Sequence, residues 1–410
     1  MHILLIADGR SPNTFSWVQG LKILEYKVSL ISTFPCSKVP GVDAFHILPV
    51  AFANPAGSQA GTIKKAPSRP TGMRKLIASF RPFILSIRHK LGPLSLQFYK
   101  RKYQEILSEV KPDLVHALRI PFEGMLAAFT PADIPVVVSI WGNDITFHAY
   151  GSRSMTRATI RALRRSDGLM ADARRDIRLS RQWGFDQGRP NLVVPGSGGI
   201  DFVEINRPLP KEDDILPDHF NSSMPLIVNP RGFRPGSVRN DVFFRAIPLV
   251  LQRLPDAYFI CTAMLGQPEA LRWVHRLNIM KNVRLLPYLK QAQLWDLFRR
   301  SAISVSISDH DGTPNSLLEA MACGCFPIVG DIESLREWVT PGVNGLLVEP
   351  NNPHALADAI ILALESPELL KNARTINRKL IQDRAEVGLT RAQMKVFYQR
   401  FEKQTHPPLQ

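Results

Sequence analysis

The segment 302–324 constrains the fold more than any other part of the chain. Its alternating apolar run from Ala302 to Ile307 predicts a strand, and after a Gly-Thr-Pro break the pattern predicts a helix over 316–322. Thr313 suits the N-cap and Pro314 the first helical position, where a missing N–H costs nothing. Gly324 suits the position just past the helix. The segment therefore predicts one strand–loop–helix unit of a parallel α/β sheet.

The start of that helix predicts an anion site. We expect the amides of Asn315, Ser316 and Leu317 to be unpaired there, at the carboxyl end of a strand. Free N–H groups and the helix dipole both favour negative charge. Two acids, Asp311 and Glu319, lie on either side of these amides. An anion holder flanked by carboxylates suits a phosphate that carries hydroxyl-rich groups.

Strand–helix alternation along the chain predicts two domains, as expected for 410 residues. It runs through residues 1–200, stops in a polar, proline-rich linker at 201–223, and restarts over 224–385. Residues 386–410 are predicted to form a C-terminal helix, and packing of this helix against the first domain is left open. The fold class is thus α/β, with two Rossmann-like, doubly wound parallel sheets. The first βαβ unit lacks G-x-G-x-x-G, so no nicotinamide or flavin fingerprint is present.

Positive charge is concentrated in the first half of the chain. The net charge is +15, of which the first 200 residues carry +14, and no acidic residue occurs between Asp43 and Glu105. This asymmetry indicates an anionic partner, and a membrane surface, nucleic acid and a phosphorylated substrate all remain open. Nucleic acid is disfavoured because no aromatic–basic stacking motif is found and the bases lie in one half only.

The pattern over 73–108 predicts a basic helix interrupted near Gly92-Pro93. Apolar residues such as Phe83 and Ile87 share one face of it, with bases around them. Two interpretations stay open: a helix at a membrane interface, or a core-facing helix with a solvated basic face.

The remaining sequence signals predict a cytoplasmic protein, with peripheral attachment to the inner face of the membrane left open. The first residues begin a strand and no apolar run approaches eighteen residues, so we expect neither a signal peptide nor a spanning helix. The four cysteines show no disulfide framework and no familiar metal spacing, so we expect reduced thiols.

Most of the chain, and residues 308–349 most strongly, resembles the retaining glycosyltransferases of family 4, which have the GT-B fold of two Rossmann-like domains facing across a cleft. The family signature is an acid, seven residues and Glu, followed by Ala-x-Ala-x-Gly-x-Pro. Here Asp311 and Glu319 stand at that spacing, and 320–327 matches the rest with one extra residue before the proline. The first acid is Asp, one carbon shorter than the usual Glu.

The resemblance implies that the second domain binds a nucleotide sugar without an essential metal or other cofactor. Glu319 would bind the ribose hydroxyls and Asp311 the transferred sugar. The phosphates would lie against the loop and helix start, formed by Gly312, Thr313, Pro314, Asn315, Ser316 and Leu317.

The family also neutralises the departing diphosphate with an Arg and a Lys on the first loop of the second domain. Arg231 matches the Arg, while Arg239 is the nearest candidate for the Lys and Arg234 a third cation. Gly9, in the first loop of the first domain, would keep the backbone near the diphosphate.

In the first domain, the run Pro-Asp-Leu-Val-His-Ala-Leu resembles the family's Pro-Asp-x-x-His-x-His. His116 matches the first histidine and Leu118 replaces the second, so a histidine contact to the sugar would come from His116 or His148. Asp144 lies at a predicted strand end nearby and would orient an acceptor hydroxyl.

The resemblance as a whole implies a retaining hexosyltransferase that uses a UDP- or GDP-sugar and a glycan or lipid-linked acceptor, as in polysaccharide biosynthesis. The expected route is a front-face reaction, because no second carboxylate suggests a glycosyl-enzyme. Two alternatives stay open: a nucleotide-sugar epimerase of the same fold, and a catalytically inactive nucleotide-binding scaffold.

Overall fold

The structure is a computed structural model that describes residues 1–53, 81–216, 224–234 and 236–402. The chain divides into two compact units. The first unit comprises residues 1–198 together with the C-terminal segment that starts at Thr390, and the second comprises 199–389. Within the described residues, no helix is long and apolar enough to cross a bilayer.

The first unit is built on a seven-stranded sheet in the order β3-β2-β1-β4-β5-β6-β7, with every neighbouring pair parallel. Apolar runs such as Ile3–Ala7 are buried on both faces, as parallel strands between two helix layers must be. The strands are β1 His2–Ala7, β2 Lys27–Ser32, β3 Ala44–Ile47, β4 Leu114–Ala117, β5 Val136–Ile140, β6 Gly168–Ala171 and β7 Asn191–Val193. The helices are α1 Pro12–Ile23, α2 Arg81–Val110, α3 Met125–Ala127, α4 Arg153–Arg165 and α5 Arg174–Gln182.

The second unit repeats this plan with six parallel strands in the order β10-β9-β8-β11-β12-β13. The strands are β8 Leu226–Asn229, β9 Tyr258–Cys261, β10 Val283–Leu285, β11 Ile303–Ser306, β12 Phe326–Gly330 and β13 Leu346–Val348. The helices are α6 Phe202–Ile205, α7 Asn240–Arg253, α8 Pro268–Arg276, α9 Gln291–Arg300, α10 Asn315–Ala322, α11 Glu333–Arg336, α12 Pro353–Leu364 and α13 Pro367–Ala385. Helix α14, Val387–Gln399, begins at the end of this unit and continues into the first.

Helix α2 runs through the predicted interruption without a break, so that expectation was wrong. Proline at position 93 removes the hydrogen bond that the carbonyl of His89 would accept. The hydroxyls of Ser152 and Ser154 donate to that carbonyl at 2.6 and 3.1 Å and replace the lost bond. Residues 73–80 of the predicted helix lie outside the described residues.

The predicted linker is partly structured. Residues 199–216 belong to the second unit, where Ile200 and Ile205 pack in one cluster with Leu317. Residues 217–223 lie outside the described residues. At the other end of the chain, Phe397 and Tyr398 pack into the core formed by β1 and β4.

Candidate functional site

The predicted donor residues lie at the carboxyl edge of the second sheet, where the strand order reverses. β8 and β11 are neighbours there, although two strands, β9 and β10, lie between them along the chain. Arg231 follows β8, and Asp311 lies between β11 and α10. In open α/β sheets this switch point is where ligands bind.

Backbone hydrogen bonds join the two loops that carry Arg231 and Asp311. The amide of Arg239 donates to the carbonyl of Ile307 at 2.9 Å, and the amide of Asp309 donates to the carbonyl of Ser237 at 2.9 Å. The edge of the site is therefore a fixed frame rather than two independent loops.

Arg231 is a buried guanidinium with unused hydrogen-bond donors. Its Nη2 lies 2.8 Å from Oδ2 of Asp311, and the two side chains are only 6% and 13% exposed. Its Nε and Nη1 are buried and have no hydrogen-bond partner among the described residues. Buried donors without acceptors are costly, so this group is set to receive an anion.

Two buried asparagines hold the backbone on either side of Arg231. Oδ1 of Asn229 accepts from the Arg231 amide at 2.9 Å, and Nδ2 of Asn229 donates to Oδ1 of Asn240 at 2.9 Å. Nδ2 of Asn240 in turn donates to the carbonyl of Gly232 at 3.2 Å. The position of the guanidinium is thus fixed from its backbone as well as from its side chain.

Asp311 is held in place by its own loop. Its carboxylate accepts from the hydroxyl of Ser308 at 3.2 Å and from the amide of Gly312 at 3.2 Å, besides pairing with Arg231. Ser334 donates to the Asp311 carbonyl at 2.8 Å. In this structure Asp311 therefore orients Arg231, and its contact with a transferred sugar stays a prediction.

The start of α10 differs from the sequence prediction. Pro314 is the N-cap, with extended φ and ψ of −62° and 129°, while Oγ1 of Thr313 accepts from Nε1 of Trp338 at 3.0 Å. The amide of Leu317 donates to the Pro314 carbonyl at 3.0 Å, because a tight first turn brings them together. The expectations of a Thr313 cap and an unpaired Leu317 amide were therefore wrong.

The first turn of α10 contains no acidic residue, so no acid within the helix offsets its positive end. Asn315 and Ser316 are the first two residues of α10, and they follow Asp311 by four and five residues. The helix dipole adds to the positive field of Arg231.

Glu319 lies one turn into α10 and is almost fully buried. Nε2 of Gln291 donates to its Oε1 at 3.0 Å. Burial raises the pKa of Glu319 to about 7, because the charged form loses its hydration. Gln291 escaped the sequence analysis because 28 residues separate the partners and no local pattern joins them.

The sequence favoured Arg239 over Arg234 as the second cation, and the structure gives these two arginines different surroundings. Arg239 forms a bidentate pair with Asp241, both distances 2.9 Å, and its Nη1 lies 3.5 Å from Asp309, so its pKa is raised. Its charge is already compensated, which does not fit the predicted role of the family's lysine. Arg234 is exposed, and the neighbouring positive charge of Arg231 lowers its pKa to about 10. The role of Arg234 as a cation beside Arg231 stays a prediction.

His116 lies in the core of the first unit. It is fully buried, with Nδ1 2.7 Å from the hydroxyl of Tyr398 and Nε2 2.8 Å from that of Ser139. Burial lowers its pKa to about 3. With both ring nitrogens engaged, it has no atom left for a sugar, so its predicted catalytic role does not fit the structure.

Asp144 also turns inward. It is fully buried, its Oδ1 pairs with Nη2 of Arg119 at 2.7 Å, and its Oδ2 accepts from the amide of Ile120 at 3.0 Å. It thus positions Arg119 instead of orienting an acceptor directly. Sequence reasoning missed Arg119, although its place two residues after the end of β4 was a usable signal. His148 lies 3.2 Å from His89, ring nitrogen to ring nitrogen, and burial lowers its pKa to about 2.

Gly9 is required by close packing. A Cβ at this position would lie 2.6 Å from Sγ of Cys36 and 2.8 Å from Oγ of Ser32, and the Gly9 amide donates to that hydroxyl at 3.1 Å. Its predicted proximity to a diphosphate stays a prediction. In the described part of the chain, no group of three or more His, Cys, Asp or Glu side chains is arranged to hold a metal ion.

Comparison with solved structures defines the class of fold. Sucrose-phosphate synthase from Thermosynechococcus elongatus matches with a TM-score of 0.71, at 16% identity and over 98% of each chain. HepE of Anabaena in complex with UDP-glucose matches with a TM-score of 0.68, at 15% identity, over 98% of this chain and 100% of that one. The two Rossmann-like units thus form a GT-B fold.

Sequence comparison defines the family. The model described as "Glycosyl transferases group 1" matches residues 241–380, and the model described as "Glycosyl transferase 4-like" matches 84–173. The chain belongs to the GT-B glycosyltransferases of the family 4 type.

Two curated relatives agree with this assignment, and both are called D-inositol 3-phosphate glycosyltransferase. That of Xylanimonas cellulosilytica is 25% identical over 292 residues, 67% of this chain and 64% of the relative. That of Streptomyces griseus is 30% identical over 141 residues, 32% of this chain and 30% of the relative. The matches thus span less than two thirds of the length of either relative.

Proposed function

We propose that this protein transfers a sugar from a UDP- or GDP-sugar to a hydroxyl of a glycan or lipid-linked acceptor, with retention of anomeric configuration and without a metal. The observation that carries the proposal is Arg231: buried at the switch point, fixed by Asp311, and left with two unfilled donors beside the start of α10. A diphosphate supplies the acceptor oxygens and the negative charge that this group requires.

The comparisons support the donor class. HepE of Anabaena was solved with UDP and with UDP-glucose, on a fold that this chain shares over 98% of its length. We infer that a nucleoside diphosphate binds at the carboxyl edge of the second sheet in this chain. Glu319, buried and held by Gln291, would bind the ribose hydroxyls.

The proposed reaction is a front-face transfer. The acceptor oxygen forms a bond to the anomeric carbon as the bond from that carbon to the β-phosphate breaks, and the acceptor proton passes to a phosphate oxygen. Arg231, Arg234 and the N-terminus of α10 would stabilise the charge that develops on the diphosphate, which is the task a metal performs in other enzymes.

The first experiment identifies the donor. Thermal unfolding is measured across UDP-, GDP- and ADP-sugars, since a ligand at a hundred times its dissociation constant stabilises a protein by about 2.7 kcal/mol. We expect one nucleotide class to raise the melting temperature, and EDTA to leave that shift intact. If no nucleotide sugar raised it, the proposed donor site would be wrong.

The second experiment identifies the reaction. NMR of the anomeric proton after turnover should show the configuration of the donor retained, and an inverted product would contradict the mechanism. Incubation with donor alone distinguishes the alternatives: an epimerase would convert the sugar without an acceptor, and an inactive scaffold would bind the nucleotide without turnover.

A further inference from the structure

One face of helix α2 in the first unit exposes a continuous row of large apolar side chains. Ile87, Leu91, Leu94 and Phe98 are 36%, 50%, 60% and 87% exposed. Spacings of four, three and four residues place them on one side of the helix, along about 17 Å at 1.5 Å per residue. We call these four residues the apolar stripe. Single exposed apolar residues are ordinary, but a row of this length marks an interaction surface.

The helix is anchored so that the stripe faces outward. Leu96 and Tyr103, on the opposite side of α2, are fully buried in the core of the first unit. The hydroxyl of Tyr103 lies 2.6 Å from that of Thr130, which fixes the rotation of the helix about its axis. The exposure of the stripe therefore follows from tertiary packing and not from a loose helix end.

Basic side chains flank the stripe on both sides. With 3.6 residues per turn, Lys90 and Arg101 lie along one side of the row and Lys102 along the other, and all three are exposed. Glu105, the first acid in the sequence after Asp43, lies 3.3 Å from both Arg101 and Lys102 at the far end. The charge bordering the stripe is thus positive over most of its length.

We propose that the apolar stripe docks the first unit on a bilayer that contains anionic lipid. Leu94 and Phe98 enter the boundary between headgroups and acyl chains, while Lys90, Arg101 and Lys102 reach the lipid phosphates on either side. This association requires neither the donor nor the acceptor of the proposed reaction, so it can be measured independently of catalysis.

A second copy of this chain fits the stripe less well than a bilayer does. The four apolar residues have the spacing of a coiled-coil seam, but the positions that flank such a seam carry Lys90, Ser95, Gln97 and Lys102, without an acid among them. In a parallel pair, Lys90 would face Ser95 and Gln97 would face Lys102, so neither lysine would meet an acid, whereas coiled coils pair opposite charges at those positions. An anionic surface supplies the complementary charge along the whole row.

The test is sedimentation with vesicles of phosphatidylcholine, with and without about one third phosphatidylglycerol. We expect the full chain to bind the anionic vesicles at least tenfold more tightly, and the difference to shrink as salt screens the lysines. The double variant Leu94→Gln/Phe98→Gln should lose at least tenfold in partitioning. Lys90→Gln alone should lose about fivefold, from roughly 1 kcal/mol for each basic residue at such a surface.

A matched control removes exposed apolar side chains elsewhere. Met280→Gln/Leu362→Gln changes two second-unit residues that are 58% and 53% exposed, and it should bind vesicles as the unchanged chain does. Thermal unfolding of each variant verifies that its fold is retained. Two results would overturn the proposal: equal binding to neutral and anionic vesicles, or a stable dimer that dissociates in the Leu94→Gln/Phe98→Gln variant while vesicle binding is unaffected.

Discussion

At the scale of single residues, the proposed donor site depends on one ion pair. Arg231 and Asp311 approach from loops that follow different strands, and each is held by neighbours of its own. Removal of either partner leaves the other buried and uncompensated, which costs more than the pair itself contributes. The shorter side chain of Asp311, where the family usually has Glu, fits this role of direct contact with the guanidinium.

Arg231→Ala should lower turnover by two orders of magnitude or more, because one preorganised charge contact to a developing anion is lost. Steady-state kinetics with the identified donor measures the change. Arg253→Ala is the matched control, since Arg253 is exposed in the same unit and its ion-pair partner among the described residues is Glu365. We expect the control to retain full activity, and equal losses in both variants would remove Arg231 from the site.

Glu319→Gln should change the pH dependence of stability. Because burial raises the pKa of Glu319 to about 7, the folded protein binds more protons here than the unfolded chain between pH 4.5 and 7. The free energy of unfolding contributed by this group therefore falls as pH rises through that window, by about 3 kcal/mol in total.

Urea unfolding of both forms at pH 4.5 and pH 7.5 measures this effect. The variant should gain stability relative to the unchanged protein at the higher pH and gain none at the lower one. Identical pH dependence in the two proteins would show that Glu319 is solvated. His116, whose pKa is lowered, acts in the opposite direction below pH 6.5 in both proteins and cancels in the difference.

At the scale of elements, helix α2 shows how tertiary contacts override local signals. Glycine and proline at 92 and 93 predicted a break, yet the helix continues because two serine hydroxyls satisfy the carbonyl that the proline leaves. Close packing requires glycine at position 92, because a Cβ there would lie 2.6 Å from the ring of Phe122.

Gly92→Ala should therefore destabilise the protein by about 1–3 kcal/mol through overpacking, although alanine favours helices. Gly20→Ala in α1 is the matched control, because a Cβ there would meet nothing within 4 Å. It should stabilise by about 0.5–1 kcal/mol. Midpoints of denaturant unfolding measure both, and the same sign for the two changes would contradict the packing argument.

At the scale of the whole molecule, the end of the chain completes the first unit. Phe397 and Tyr398 of α14 fill the core against β1 and β4, and Tyr398 holds His116 at 2.7 Å. Helix α14 begins nearly 200 residues after the last strand of the first sheet, and it nevertheless forms part of the core of the first unit.

Phe397→Ala should destabilise the protein by about 3–5 kcal/mol, the usual cost of removing a buried aromatic ring. Val396→Ala, one residue away on the exposed side of α14, should change stability by less than about 0.5 kcal/mol. Urea unfolding with separate probes for the two units measures this, and the loss should appear in the first unit. A loss confined to the second unit would contradict the assignment of α14.

The sequence by itself determined the two α/β units, the candidate anion-binding edge of the second sheet and the candidates Arg231, Asp311 and Glu319. The units, that edge and the two acids follow from periodicity and from spacings within one loop and one helix, whereas Arg231 follows from the resemblance to the glycosyltransferase family. Tertiary structure alone decided that Arg239 is bound by two acids, that His116 and Asp144 face inward, and that the stripe on α2 faces outward. Asp241 is two residues from Arg239, but Asp309 is 70 residues from it and Tyr398 is 282 residues from His116, and a linear pattern does not record contacts at such separations.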